Sequence, residues 1–246
     1  MIAAALIPYI GLVVGLDSLT SGPTAQHLLA LPTAAYLWAW SRRIDEGERR
    51  ELWLCVAVSG VLELVLTQLW GLYHYRFGPV PLYVFPGHGL LWLFARDVSR
   101  WAPAARNERR TCRSAAALGV LWALAGLFLR PLRGLPADVH GALYAPICLP
   151  LLLGSDRRLA YAATFFMTSY LELVGTRLGT WHWNAVIPTL GFPAADPPSM
   201  IAGGYFIFAF TARWLAERSE LALGQDAARV HGDVGLSQLE VDVRPR

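Results

Sequence analysis

Two glutamates, Glu63 and Glu172, lie 109 positions apart in closely similar surroundings. The stretch from 63 to 75 reads ELVLTQLWGLYHY, and that from 172 to 183 reads ELVGTRLGTWHW. With one single-residue gap, Glu63 aligns with Glu172, Thr67 with Thr176 and Gly71 with Gly179, while Tyr73-His74-Tyr75 aligns with Trp181-His182-Trp183. A carboxyl group in an apolar segment faces the protein interior, finds a partner or stays protonated. Two such groups in different environments can divide the roles of acid and base, and aromatic faces beside them stabilise a cation through the ring quadrupole. The chemistry this set could perform is protonation of an alkene, shelter of the carbocation, and removal of a proton or activation of water by the second carboxyl. Glu63 is the expected proton donor and Glu172 its base or stabilising partner. Thr67 and Thr176, one turn on, are placed to hydrogen-bond their glutamates. Each glutamate could also be a packing group bonded to a neighbouring helix, and tyrosine and tryptophan gather at membrane interfaces simply because they are amphipathic.

The elements that must hold these residues follow from composition. The chain is 55% hydrophobic and 16% charged, with a mean hydropathy of +0.39, which points to a polytopic membrane protein. Apolar runs near 2–16, 25–40, 51–72, 80–95, 114–129, 139–154, 158–176 and 198–215 give eight candidate spans. A bilayer core of about 30 Å needs roughly 20 helical residues, so the shorter runs must borrow flanking residues or be incomplete. Pro8 and the lack of a basic leader argue against a cleaved signal peptide at the first run.

Arginine placement supports this count independently. All 21 basic residues are arginine. With a cytoplasmic N-terminus, 17 of them fall on one side, in the loops 41–50 and 97–113, the turn 155–158, the adjoining helix ends and the tail. Arg76, Arg130, Arg133 and Arg177 fall on the other. This bias places both termini in the cytoplasm, in an inner-membrane protein. The expected fold is all-α, a membrane helical bundle of two parallel four-helix repeats, at 1–100 and 101–216, followed by a polar, disordered cytoplasmic tail at 217–246. Repeats of this kind set the working site at their interface, here opening toward the non-cytoplasmic half.

Around the glutamates, His74 and His182 are candidate proton carriers. Tyr73, Tyr75, Arg76, His88, Trp92, Trp181, Trp183 and Asn184 are candidate substrate-binding residues, and Tyr83, Tyr170 and Tyr205 extend the aromatic rim. The histidines with the glutamates form a conceivable metal-ligand set, but no HExxH or other close ligand spacing occurs, and no metal is expected. Cys55, Cys112 and Cys148 form no CxxC. No P-loop, Rossmann fingerprint or GxSxG elbow is present.

The succession Glu63, Gly71-Leu-Tyr73-His-Tyr75, Phe77-Gly-Pro-Val-Pro-Leu-Tyr-Val-Phe-Pro86 and Trp92 resembles the acid, Gly-x-Tyr-x-Tyr, Gly-Pro, Val-Pro, Trp order of membrane carotenoid-biosynthesis proteins of the bisanhydrobacterioruberin hydratase type. That family is related in kind to integral-membrane lycopene cyclases and small membrane terpene cyclases. The resemblance implies water addition or cyclisation on a long polyene, with Glu63 as the acid and no redox cofactor. The expected partners are a lipid-soluble small molecule, the bilayer and a second copy in a homo-oligomer, with no nucleic acid. A proton-coupled transporter, or a membrane protein that binds lipid without catalysis, is the competing expectation.

Overall fold

A computed structural model of the chain describes the backbone of residues 2–239 and the side chains of 4–219 and 221. It is built almost wholly from helices. In chain order these are α1 (Ile2–Ser18), α2 (Pro23–Leu28), α3 (Ala30–Ser41), α4 (Glu46–Leu64), α5 (Val84–Arg100), α6 (Ala102–Arg106), α7 (Glu108–Leu124), α8 (Val139–Ala142), α9 (Ala145–Gly154), α10 (Arg158–Leu178) and α11 (Ala202–Leu239). Two short strands, β1 (Tyr73–Tyr75) and β2 (Trp181–Trp183), complete the set.

Every expected apolar run contains a helix, although 80–83 and 198–201 precede theirs and 70–72 follows one; two runs are interrupted, as α2 stops before Leu29 and α3 follows, while α8 stops before Leu143 and α9 follows at Ala145. Helix α6 occupies part of the arginine-rich loop that carried no expected element. Two helical stretches are long and apolar enough to cross a membrane, Glu46–Leu69 and Glu108–Leu129, and Ala4–Ser18 and Val139–Gly154 are shorter apolar ones. Helix α11 extends through much of the expected tail, whose final residues, 240–246, lie outside the described residues.

Local sequence explains where the site-bearing helices begin and end. Asp45 caps α4 by accepting the Glu48 N–H at 2.8 Å, and Glu46 and Glu48 place negative charge in its first turn. Helix α10 ends at Gly179, whose φ of 71° is left-handed, and Gly71 repeats this with a φ of 61°. The single-residue gap between the two similar stretches has a structural counterpart. Residues Val65–Leu69 form a π turn at the end of α4, which accommodates one extra residue, whereas α10 is regular to Leu178.

The two triplets pair with each other. Strands β1 and β2 are antiparallel, with Tyr73 opposite Trp183, His74 opposite His182 and Tyr75 opposite Trp181. Flanking bonds continue the pattern, with the Arg76 N–H donating to the Thr180 carbonyl and the Asn184 N–H to the Leu72 carbonyl, each at 3.0 Å. Exchanging each residue for its aligned mate maps this ladder onto itself, as a local two-fold axis between the histidines requires. The same exchange relates the helix packing: α4 lies against α11, and α5 against α10. The halves therefore interleave, and their apolar core joins Leu6 and Leu93 from the first to Met167 and Ile201 from the second.

Ion pairs gather segments expected on one side. Arg96 binds Glu48 at 2.6 Å, Arg157 binds Glu51 at 2.5 Å, Arg158 binds Glu108 at 2.8 Å and Arg213 binds Asp156 at 2.9 Å. Arg213 holds the exposed Asp156 carboxyl down to about 2, so this pair stays ionised across ordinary pH. Replacing Gly179 with alanine puts a Cβ on a left-handed residue and should cost roughly 1–2 kcal/mol. Thermal unfolding checks this, and the Gly15→Ala change, where a Cβ meets open space, is the control.

Candidate functional site

The strand alternation decides which side chains of the triplets reach the glutamates. Successive strand residues face opposite ways, so the outer aromatics point toward the helices and the central histidines point outward. Tyr75, Trp181 and Trp183 are buried, whereas His74 and His182 are exposed.

Glu63 and Glu172 are both buried, at 2% and 3% exposure. Tyr73 and Tyr75 donate their hydroxyls to Glu63 Oε1 at 2.6 and 2.7 Å. Trp181 and Trp183 donate their indole N–H groups to Glu172 Oε2 at 2.9 and 3.0 Å. Each strand thus hands two donors to the glutamate of its own half. The indole of Trp181 lies directly over Gly175, where a Cβ would come within 2.0 Å of the ring. Thr67 and Thr176 hydrogen-bond the backbone carbonyls of Glu63 and Glu172, both at 2.7 Å, and not the carboxyl groups as expected. Back-bonding one turn along the helix outcompetes the longer reach.

The third partners differ, and so does the outcome. Glu172 Oε1 accepts the Tyr205 hydroxyl at 3.0 Å, so both its oxygens are occupied. The second oxygen of Glu63, Oε2, faces His88 Nε2 at 3.4 Å. That spacing suits an ion pair but is not aligned as a hydrogen bond, and Nε2 has no other polar partner. Both oxygens of Glu172 thus accept donors, whereas Glu63 Oε2 accepts none.

Two cavities adjoin this pair. The deeper one, with an empty volume of about 620 Å³, is walled by both glutamates, Tyr73, Tyr75, His88 and Tyr205, together with apolar side chains of α1 such as Val13. The wider one, of about 1350 Å³, lies at the arginine-rich end among Glu48, Glu51, Arg96, Arg157 and Arg213. His88, Leu91 and Tyr205 belong to the walls of both. The wide cavity therefore lies at the end away from the aromatic ribbon, which covers the glutamates on its own side.

Of the residues expected at the site, Tyr73, Tyr75, His88, Trp181 and Trp183 meet the glutamates. His74 and His182 do not: their rings face each other outside the ribbon, 6.2 Å apart between centroids, and His182 Nδ1 lies 2.7 Å from Asp196 Oδ2. Arg76 reaches the Ser18 carbonyl at 2.5 Å and so straps the loop after α1. Asn184 Nδ2 donates to the Gly71 carbonyl at 2.5 Å, an equally structural bond. Trp92 lines the wide cavity and donates to Glu51 Oε1 at 3.1 Å.

Tyr205, expected only in the rim, is a direct partner of Glu172. Asp17 was not anticipated. It is fully buried, accepts the Gln26 amide at 2.9 Å and the Tyr83 hydroxyl, and so fixes Tyr83 in the deep cavity wall. An acid at the end of an apolar run was the available signal. Among the described residues no three His, Cys, Asp or Glu side chains gather as a metal-binding group.

Removing one indole donor, by Trp181→Phe or Trp183→Phe, should destabilise the fold by about 1–3 kcal/mol, because Glu172 stays buried with a bond unmade. His74→Ala on the outer face should cost much less; thermal melts compare them. No protein-family model, curated protein or solved structure matches this chain.

Proposed function

We propose that the chain is an integral-membrane enzyme that protonates an alkene in an isoprenoid or similarly apolar substrate, leading to hydration or cyclisation. The observation that carries this reading is Glu63 Oε2, a carboxyl oxygen without a hydrogen-bond donor at the wall of an aromatic-lined cavity. Glu63 holds the proton on Oε2 and delivers it to the double bond. The alkene π pair takes the proton, and the carboxylate left behind is stabilised by the two tyrosine hydroxyls. Glu172, held by three donors, stands beside the cation as its base or stabilising partner, and the aromatic faces add their quadrupoles. Water or an internal double bond then captures the cation, and the proton released returns to Glu63. The resemblance of the 63–92 segment to carotenoid hydratases is in keeping with this chemistry.

Membrane insertion belongs to the same proposal. The chain crosses the bilayer with eight helical arms in two parallel four-helix repeats, the arginine-rich end and both termini lying in the cytoplasm. Support comes from polarity turned outside in. Val61, Leu118, Leu121, Phe128 and Phe210 are all more than half exposed, at 51% or above, while Glu63, Glu172, Asp17 and Asp138 are buried. A water-soluble surface rarely carries so many large apolar side chains, whereas a lipid-facing one requires them.

The test is expression in hosts that accumulate different polyenes, followed by pigment and lipid profiling. Glu63→Gln should lower conversion by roughly 10²–10⁴-fold while the protein still folds. His74→Gln and His182→Gln should leave conversion near the parent level. Unchanged product with both Glu63→Gln and Glu172→Gln would rule out acid catalysis. The two cavities meeting at His88 also fit a proton-coupled carrier, which would instead show uptake into proteoliposomes driven by a pH gradient and no chemical change in the substrate.

A further inference from the structure

Glu63 lies in the interior, and any proton it loses must be replaced from water. The ribbon closes one end of the deep cavity with the rings of Tyr73, Tyr75 and Trp181. At the other end the only titratable side chains shared by the two cavities, among the described residues, are His88 and Tyr205. Tyr205 is committed to Glu172 by its hydroxyl. His88 is uncommitted: it is 6% exposed, its Nε2 has no hydrogen-bond partner, and that atom is the one 3.4 Å from Glu63 Oε2. Edge contacts with Tyr205 and Phe208, at 5.6 and 5.5 Å between centroids, bound the ring on the α11 side without bonding it.

The wide cavity is suited to water more than to a charged ligand. Its acids and arginines are paired with one another, Arg96 and Arg100 with Glu48, Arg157 with Glu51 and Arg213 with Asp156. No unpaired cluster of one sign is left to select an anion or a cation, but many polar groups are available to hold water.

We propose that His88 relays protons between a hydrated cavity on the arginine-rich side and Glu63 Oε2. A hydronium ion in the wide cavity gives its proton to Nδ1 of the neutral imidazole and becomes water. The imidazolium passes the Nε2 proton to the Glu63 carboxylate, which becomes the carboxylic acid. When the ring turns so that Nε2 reaches the wide cavity, a second hydronium ion protonates Nε2 and the Nδ1 proton passes to water there, which restores the starting tautomer. The titratable groups that line the two cavities beside the ring include Glu63 and Glu51 from α4, Glu172 from α10, Tyr205 from α11 and Tyr73 from β1. Of these, Glu63 brings an oxygen without a hydrogen-bond donor to within 3.4 Å of Nε2. The relay rests on the reading of Glu63 as the acid, but it is measured without substrate.

Infrared difference spectroscopy on the full chain, oriented in lipid vesicles, follows the Glu63 carboxyl band after a pH jump on one side, and Glu63→Gln identifies that band. Acidifying the arginine-rich side should raise the band first, and His88→Asn and His88→Leu should each slow its appearance by about tenfold or more. Equal rates in the parent and both His88 variants, or a faster response to acid on the opposite side, would overturn the relay. So would a Glu63 band that answers to pH on neither side. Glu63→Gln conversion is scored separately, so the relay can fail while acid catalysis stands.

Discussion

Burying a carboxyl group in an apolar bundle requires that its oxygens be given donors, and the arrangement around Glu63 and Glu172 follows from that need. An isolated ionised carboxylate in such a medium is prohibitively costly, and helices cannot supply backbone N–H groups from their interiors because these are already used. The donors must come from side chains outside the helix that carries the acid. Here they come from a three-residue strand immediately after each glutamate helix, turned back by a left-handed glycine. The strands in turn need partners for their own backbones, and each finds the other. Pairing the strands brings the halves together, and the interleaving of α4 with α11 and α5 with α10 accompanies it.

The chemical difference between the two sites lies in the kind of donor. A phenol hydroxyl donates one proton and still accepts, so Tyr73 and Tyr75 could also accept a hydrogen bond at Glu63. An indole N–H only donates, so Trp181 and Trp183 serve Glu172 as donors alone. The third partners differ in another way. Tyr205 closes Glu172, whereas His88, which packs beside Tyr205 from the other half, leaves Glu63 open. The tilted contact of Tyr73 with Trp183, 4.5 Å between centroids, packs the two donor sets against each other.

Much of this could be read from the chain before any coordinates. Apolar runs locate helices because side-chain hydrophobicity is a local property, and the repeat of Glu63 and Glu172 with their triplets is visible by alignment alone. The arginine segments come together as expected because their acidic partners lie in the same loops. What escaped the sequence depended on contacts between distant segments. Period-two alternation could have turned His74 and His182 outward, but only if the triplets had been read as strands, and three residues are too few to announce one. Arg76 and Asn184 are polar and correctly spaced, yet their hydrogen bonds go to carbonyls of Ser18 and Gly71, which no local pattern indicates. Trp92 lies on the same helix as His88, but Glu51 draws it to the arginine-rich end.

The π turn at Val65–Leu69 gives the small gap in the alignment a physical meaning. One inserted residue rotates everything beyond it by about a third of a turn relative to a regular helix. The first half therefore delivers its strand along a path the second half does not share, although both strands reach the same ribbon. The halves are close enough to pair as equals but cannot be interchanged. A chain made from two copies of the second half would keep the ribbon and give both carboxyl groups indole donors, and it would lack the donor-free oxygen that Glu63 presents. The inserted residue, together with the replacement of indoles by phenols, marks where a symmetric scaffold holds two unlike carboxyl sites.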